Sequence, residues 1–343
     1  EEQEGGAIAM HLCHGTFINC IIEDSVAEFG GGVWLGGVGV YNFINCKFIG
    51  NRAERLKPEV FENVFGGGVM VFGPAGQPNE TSARFEGCAF IGNHSDYRAG
   101  GILIGNNNVE LVDCMFTDNT CTSGNRRNGT AIYGFNPGNL LIAGVTVRDH
   151  VSAPGAAVYL LEYVPPEYTG SPVRTNVEIR NTLVAKGMTG TGLMVSSDSI
   201  DNLDVSCTNI YGGFPGNWIG QLLPFRDVAG NLQVDPAFCS QWGDPRMVGS
   251  GSPMLAAHNT CGTDIGRVLG GDCVTVPVLV SDFFAWREGS RAVLSWQGVH
   301  PGESGLRLER VSASRPEVLA LAEALEARGG GFRFVDPEVP GSG

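Results

Sequence analysis

"GGGVWLGG" at residues 30–37 and "GGGVMVFG" at residues 66–73 are close to the same phrase, 36 residues apart. A glycine loop that cradles phosphate is one reading, but no Gly-Lys-Ser/Thr follows, and no helical pattern follows for an anion to cap. The phrase belongs instead to a ladder: "GGAIAM" (5–10), "GGVWLG" (31–36), "GGVMVF" (67–72), "AGGILI" (99–104), "GTAIYG" (129–134), "GAAVYL" (155–160) and "GTGLMV" (190–195). Its central residues Ile8, Val33, Val69, Ile102, Ile132, Val158 and Leu193 recur at intervals of 25 to 36 residues. A period of that length, carried by β-branched residues and glycine turns, predicts a solenoid of short strands.

Each phrase is followed by a second segment, such as "TFINCII" (16–22), "NFINCKFIGN" (42–51), "RFEGCAFIGN" (84–93) and "ELVDCMFTDN" (110–119). Apolar residues at period two and Gly-Gly punctuation are strand signals, so each unit reads as one coil of stacked parallel strands. Alternation assigns faces. Val33 and Leu35 point inward and Trp34 outward, with Val69 and Val71 inward and Met70 outward in the next coil. Phe17, Phe43, Phe85, Leu111, Ile142, Ile179 and Val205 form one inward row. Ile22, Phe48, Phe90, Phe116, Val147, Val184 and Ile210 form another. Asn19, Asn45, Asp113 and Asn181 sit where the chain must bend, as short polar side chains suit turns.

Cys20, Cys46, Cys88 and Cys114 occupy equivalent places, continued by Val145, Thr182 and Thr208. Replacement by valine and threonine marks a small buried position, so these cysteines read as a ladder of free thiols acting as small hydrophobes. Metal binding or disulfides between neighbouring coils are the alternatives. None of the ten cysteines lies in a Cys-x-x-Cys pair, which removes zinc-ribbon, redox and c-type haem readings.

Composition narrows the partners. Lys+Arg 22 against Asp+Glu 36 gives a formal charge of −14, which argues against nucleic acid or an anionic membrane surface. No apolar run is long enough to span a bilayer, and the opening "EEQEGGAIAM" carries no signal-peptide pattern.

The Gly-Gly-Gly phrase followed by "NFINCKFIGNRA" (42–53) resembles the right-handed parallel β-helix proteins of the pectate-lyase-like superfamily, especially the bacterial surface or secreted branch with Asn-Cys-x-Phe repeats. The resemblance covers about residues 5–275 and speaks to fold; that superfamily includes lyases, hydrolases, adhesins and inert stalks. The stretch 231–273, with "DPAFC", "GSP" and a cysteine-bounded glycine loop, resembles the closing segment after such β-helices. There the expected bridges are Cys261 with Cys273 and Cys207 with Cys239, although spacing alone does not determine connectivity.

From Val276 the texture changes. "VPVLVSDFFAWREGSRAVLSWQ" (276–297), "GLRLERV" (305–311) and "FRFVDPEVPGSG" (332–343) resemble a fibronectin type III-like sandwich, while "RPEVLALAEALEARGGG" (315–331) carries a helical period ending in glycine. The expected organisation is thus all-β: a right-handed parallel β-helix over 1–275 with a cysteine-containing closing segment, then a small incomplete β-sandwich with one short helix over 276–343. The first coil and the last module read as open edges, which implies either a longer parent chain or completion by another copy or a neighbouring protein, as in a fibre.

Catalytic chemistry is sparse. The outward positions of the first strand row are Ala9, Trp34, Met70, Leu103, Tyr133, Tyr159 and Met194, with no carboxylate and no cation. Exposed together, Trp34, Met70, Leu103, Tyr133 and Tyr159 would make an apolar strip suited to sugar rings or an apolar partner; covered by loops, they would be a second core. Arg126, Arg127, Arg148, Asp149 and His150, on the loops of adjoining coils, read as solvated turn charges, with a catalytic cluster as the alternative. Asp198, Asp201 and Asp204 in "SSDSIDNLD" are a candidate calcium group, and Asn79, Asn93 and Asn128 lie in Asn-x-Ser/Thr sequons. The expected function is an extracellular or cell-surface stalk, adhesin or fibre component, glycan-binding through that strip and without catalysis; the alternative is a polysaccharide lyase or glycoside hydrolase of the same fold.

Overall fold

The computed structural model describes residues 4–56, 64–73, 81–122, 129–148, 151–162, 175–185, 189–195, 200–213, 216–239 and 244–271, together with six strands between 280 and 336. The chain divides into two compact units, Glu1–Cys273 and Val274–Gly343.

The first unit is a parallel β-helix with three sheets. The first sheet stacks Ile8–His11, Val33–Gly36, Val69–Phe72, Ile102–Gly105, Gly129–Phe135, Val151–Leu161 and Thr189–Val195. The second stacks Gly15–Ile18, Gly39–Ile44, Thr81–Glu86, Asn108–Val112, Asn139–Ala143, Asn176–Arg180 and Asn202–Ser206. The third stacks Ile21–Glu23, Lys47–Ile49, Ala89–Ile91, Met115–Thr117, Thr146–Arg148, Leu183–Ala185 and Asn209–Tyr211. A side ladder of two-residue strands, Val26–Ala27, Arg52–Ala53, His94–Ser95 and Thr120–Cys121, closes the early coils. It merges with the first sheet at the eleven-residue strand Val151–Leu161, which pairs Val151 with Thr120 and Val158 with Ile132.

Register follows the repeat. Val33 pairs with Ile8 and Val69, and Phe43 pairs with Phe17 and Phe85. Val33, Leu35, Val69, Val71, Ile102 and Ile104 are fully buried in one continuous core. The phenylalanines form two stacks inside it. Phe17–Phe43 and Phe43–Phe85 have ring centroids 4.7 and 5.0 Å apart, and Phe48–Phe90 and Phe90–Phe116 lie at 4.7 and 4.4 Å. Parallel in-register strands about 4.8 Å apart put identical side chains at that distance.

The corners explain the small polar residues. Asn19, Asn45, Asp113 and Asn181 all have φ between 48° and 55°, and Gly87, Gly144 and Cys207 take the same place in their coils. Asn and Asp tolerate this left-handed conformation better than other side-chain residues. Gly30, opening the first quoted phrase, has φ +62° at the corner into the first sheet.

One further corner is an asparagine ladder formed by the last residue of the segments ending at 51, 93 and 119. Asn51, Asn93 and Asn119 are fully buried. Asn93 Nδ2 donates to Phe48 O and Asn119 Oδ1, both at 2.9 Å, while Asn93 Oδ1 accepts from Asn51 N and Nδ2, both at 3.0 Å. Asn93 serves the corner, and its sequon nitrogen is inaccessible in the folded chain. Asn79 and Asn128 lie outside the described residues.

The later coils are closed by a cap and a returning segment. Trp218 and the fully buried Leu222, in the 3₁₀ turn Gly220–Phe225, pack against the solenoid core, and Trp218 Nε1 donates to Leu232 O at 3.2 Å. Val248, Met254, Ile265 and Val268 then cover Leu183 and Ala185 of the third sheet. Cys207 is bonded to Cys261, with Cα atoms 5.9 Å apart. This corrects the expected pairings of Cys261 with Cys273 and Cys207 with Cys239. The returning segment runs along the second corner row, where Gly266 N donates to Asn181 O, and this brings Cys261 to the corner residue Cys207. Cys239 is also disulfide-bonded, and Cys273 lies outside the described residues.

The second unit contains a four-stranded antiparallel sheet in the order Val280–Glu288, Arg291–Gly298, Gly331–Asp336, Leu325–Arg328, and a hairpin of Glu309–Val311 with Pro316–Val318. The helix expected over 315–331 is corrected here: its described parts, Pro316–Val318 and Leu325–Arg328, are strands. Arg328 pairs with Gly331 in the antiparallel sheet.

Candidate functional site

The outward row of the first sheet is apolar, but it is not an exposed strip. Met70, Leu103, Tyr133 and Tyr159 are buried and form a second cluster with Ala99 and Ala156. Phe29 and Phe65, each just before a glycine corner, and Arg98, which holds the same place in the next coil, form a bridged row and fold over the face. The Arg98 guanidinium lies over the rings of Tyr97 and Tyr133 and donates to Tyr133 Oη at 2.8 Å. The expectation of a shared exposure is therefore corrected at four of its five positions. Trp34 is half-buried, stacked on His11 at 5.9 Å and lying across Gly36, where a Cβ would come within 2.0 Å of the indole. With Phe72 it edges a cavity of about 410 Å³ lined by Phe29, Phe65, Met70 and Leu103.

The thiol ladder is free and largely inert. Cys46, Cys88 and Cys114 are fully buried and Cys20 is half-buried. Each buried Sγ donates to a carbonyl of the preceding coil, Phe17, Phe43 and Phe85 respectively, at 3.2–3.4 Å. Burial pushes the Cys46 thiol above its ordinary value and the Cys114 thiol well above it, so both stay protonated, whereas the hydrogen bond with Cys114 holds the Cys88 thiol below its ordinary value. Thr182 makes the equivalent bond to Ile142 O at 3.3 Å, which is why a hydroxyl substitutes here.

Arg148 is also structural. It is buried, its guanidinium stacks on Phe238 at 4.1 Å and its Nη1 donates to Pro245 O at 2.7 Å. Arg126, Arg127, Asp149 and His150 lie outside the described residues, as does Asp198. Asp201 and Asp204 are exposed. Among the described residues no three His, Cys, Asp or Glu side chains are placed to hold a metal ion.

The most extended polar feature is the outward face of the second sheet, which lines a groove of about 960 Å³. Two rows run along it. The first is Asn108, Asn139, Asn176 and Asn202, an exposed amide ladder. Asn139 Nδ2 donates to Asn108 Oδ1 at 2.9 Å, and the next two rungs are 2.8 Å each. The second row, by register, is Asn42, Arg84, Glu110, Leu141, Glu178 and Asp204. Arg84 is ion-paired to both Glu86 and Glu110, so it is neutralised. Glu178, Asp201 and Asp204 leave the far end of the groove acidic, with Arg180 paired to Glu178 at 3.1 Å. Six strands from Gly39–Ile44 to Asn202–Ser206 span about 24 Å at the parallel-coil spacing.

Sequence reasoning missed this face although a signal was present. Arg84, Glu110, Leu141, Glu178 and Asp204 each stand directly between two inward apolar residues, as Arg84 stands between Ala83 and Phe85, which marks an outward row. Comparison with protein-family models, with curated proteins and with solved structures returned no match.

Proposed function

We propose that the chain is an extracellular or cell-surface β-helix that works without catalysis as a rigid stalk or adhesin, and that it holds a glycan chain along the outward face of the second sheet. The hydrogen-bonded ladder from Asn108 to Asn202 carries this reading. Asn139 and Asn176 each spend one side-chain N–H and part of the carbonyl on neighbouring rungs, Asn202 spends only an N–H and Asn108 only its carbonyl, so each amide has a further N–H to offer a ligand, once per coil. A periodic row of exposed amides suits a periodic polar polymer whose hydroxyls both donate and accept. The acidic far end favours a neutral or amino-sugar polymer over a polyuronate, by like-charge repulsion. Disulfide bonding at Cys207, Cys239 and Cys261 supports an oxidising compartment.

One observation favours the second reading, a glycoside hydrolase or polysaccharide lyase: Glu178 and Asp204 are register neighbours on the groove floor. Against it, Glu178 is half exposed and paired to Arg180, so it lacks the apolar burial that turns a carboxyl into a general acid at neutral pH. A panel of neutral, amino-sugar and acidic polysaccharides tests both readings. Retention on a neutral or amino-sugar polymer without new reducing ends or unsaturated products is expected. Product formation lost in Glu178→Gln would replace the stalk by the enzyme.

A further inference from the structure

Three segments meet at the corner between the first and second sheets in the last two coils. Glu162 follows the strand Val151–Leu161, Thr175 precedes Asn176–Arg180, and Asp201 precedes Asn202–Ser206. Asn202 N donates to Thr175 O at 3.2 Å, which ties the two coils together here. Glu162 is only 7% exposed and Thr175 is fully buried. Glu162 accepts the backbone N–H of Asp201 and lies beside the Asp201 carboxylate and the Thr175 hydroxyl. Glu162 Oε2 and Thr175 Oγ1 are both buried and make no hydrogen bond of good geometry, although the Thr175 hydroxyl stands near enough to favour the charged form of Glu162. Gln221, whose Nε2 reaches Ile200 O at 3.4 Å, carries a third such oxygen, Oε1.

Buried oxygens with lone pairs and no donor are costly, and a buried carboxylate with a second carboxylate beside it is more so. Among the described residues no Lys or Arg answers Glu162. A cation held between the Glu162 and Asp201 carboxylates, beside the Thr175 hydroxyl, would answer the buried charge.

We propose that Glu162, Thr175 and Asp201 form a binding site for a hard divalent cation, calcium. Two carboxylates and a hydroxyl are oxygen ligands, which suit calcium and exclude soft metals. Glu162 and Thr175 form the buried floor, and exposed Asp201 closes the site from the groove side. So few carboxylates leave part of the coordination to water and place the affinity at about 10⁻⁴–10⁻³ M, the range of extracellular modules. The site borders the groove at Asp201 but takes none of its ligands from the ladder amides, so the calcium measurement is read without a glycan present.

The test is thermal unfolding of the whole chain, stripped with EDTA and then given calcium at about ten times that dissociation constant, with isothermal titration beside it. The wild type should gain about 3–5 °C and titrate one calcium per chain. Glu162→Gln and Asp201→Asn should show no gain and at least tenfold weaker binding. Asp201 is exposed, so its variant keeps the buried packing even if Glu162→Gln proves difficult to fold. A wild type that gains nothing, or an Asp201→Asn variant that gains as much as the wild type, overturns the site.

Discussion

Phe43 and Phe85 are stacked face to face, ring centroids 5.0 Å apart and planes within 6°, although one coil of chain separates them. Phe85 also meets Phe48 and Phe90 edge-on at 6.0 and 5.8 Å. It touches both phenylalanine stacks, so its loss leaves a cavity that neither stack can close. Phe85→Ala should lower unfolding stability by about 3–5 kcal/mol, measured from the midpoint in denaturant. A loss below about 1 kcal/mol would mean that the two stacks are not one core.

Asn93 binds three neighbours with one buried amide. Asn93→Ala would orphan Phe48 O and the Asn51 amide in a site without water, at about 1–3 kcal/mol for each group left unpaired. Asn139→Ala, on the exposed ladder, should stay within about 0.5 kcal/mol of the wild type. Equal effects from the two would show that the buried ladder contributes no more than the surface one.

The bond between Cys207 and Cys261 closes a sequence separation of 54 residues and ties the returning segment to the last corner. Its removal in Cys261→Ser should cost about 4 kcal/mol on loop entropy and unmask Met254 and Val268 to limited proteolysis. Peptide mapping without reduction should recover Cys207 linked to Cys261. A peptide joining Cys207 to Cys239 would refute that connectivity.

The Cys114 thiol gives a pH dependence with a definite sign. Burial raises the folded Cys114 thiol above its unfolded value of 9.0. Below pH 9 both states hold the proton and stability is unaffected; above it the unfolded chain ionises first, so stability falls as pH rises. Val145 fills the same column in the next coil, so Cys114→Val should match the wild type at neutral pH and lose less stability under alkaline conditions. Parallel decline of the two proteins would assign the alkaline loss to other groups.

The columns were legible because the side-chain period of a strand matches the sequence alternation: Val33 and Leu35, or Phe43 and Phe48, could face only one way once the coils were aligned. The left-handed corners at Asn19, Asn45, Asp113 and Asn181 were legible for the same reason, since few side chains tolerate that backbone. Contacts between distant segments were not. The cover over Tyr133 comes from Phe29, Phe65 and Arg98, which share only their place before a corner. The partner of Cys207 depends on the path of the returning segment, which no local pattern encodes. The second-sheet groove escaped notice because Asn108, Asn139, Asn176 and Asn202 follow loops of varying length and precede the aligned phrases.

The most direct measurement is glycan retention by the wild type against the double variant Asn139→Ala, Asn176→Ala, with Trp34→Ala as the comparison. All three should remain folded, because the altered residues are exposed or half-buried. Binding of a neutral or amino-sugar polymer should fall at least tenfold in the asparagine variant and stay unchanged in Trp34→Ala. Full binding by the asparagine variant, with loss in Trp34→Ala, would move the site to the first sheet and contradict the role assigned to the amide ladder.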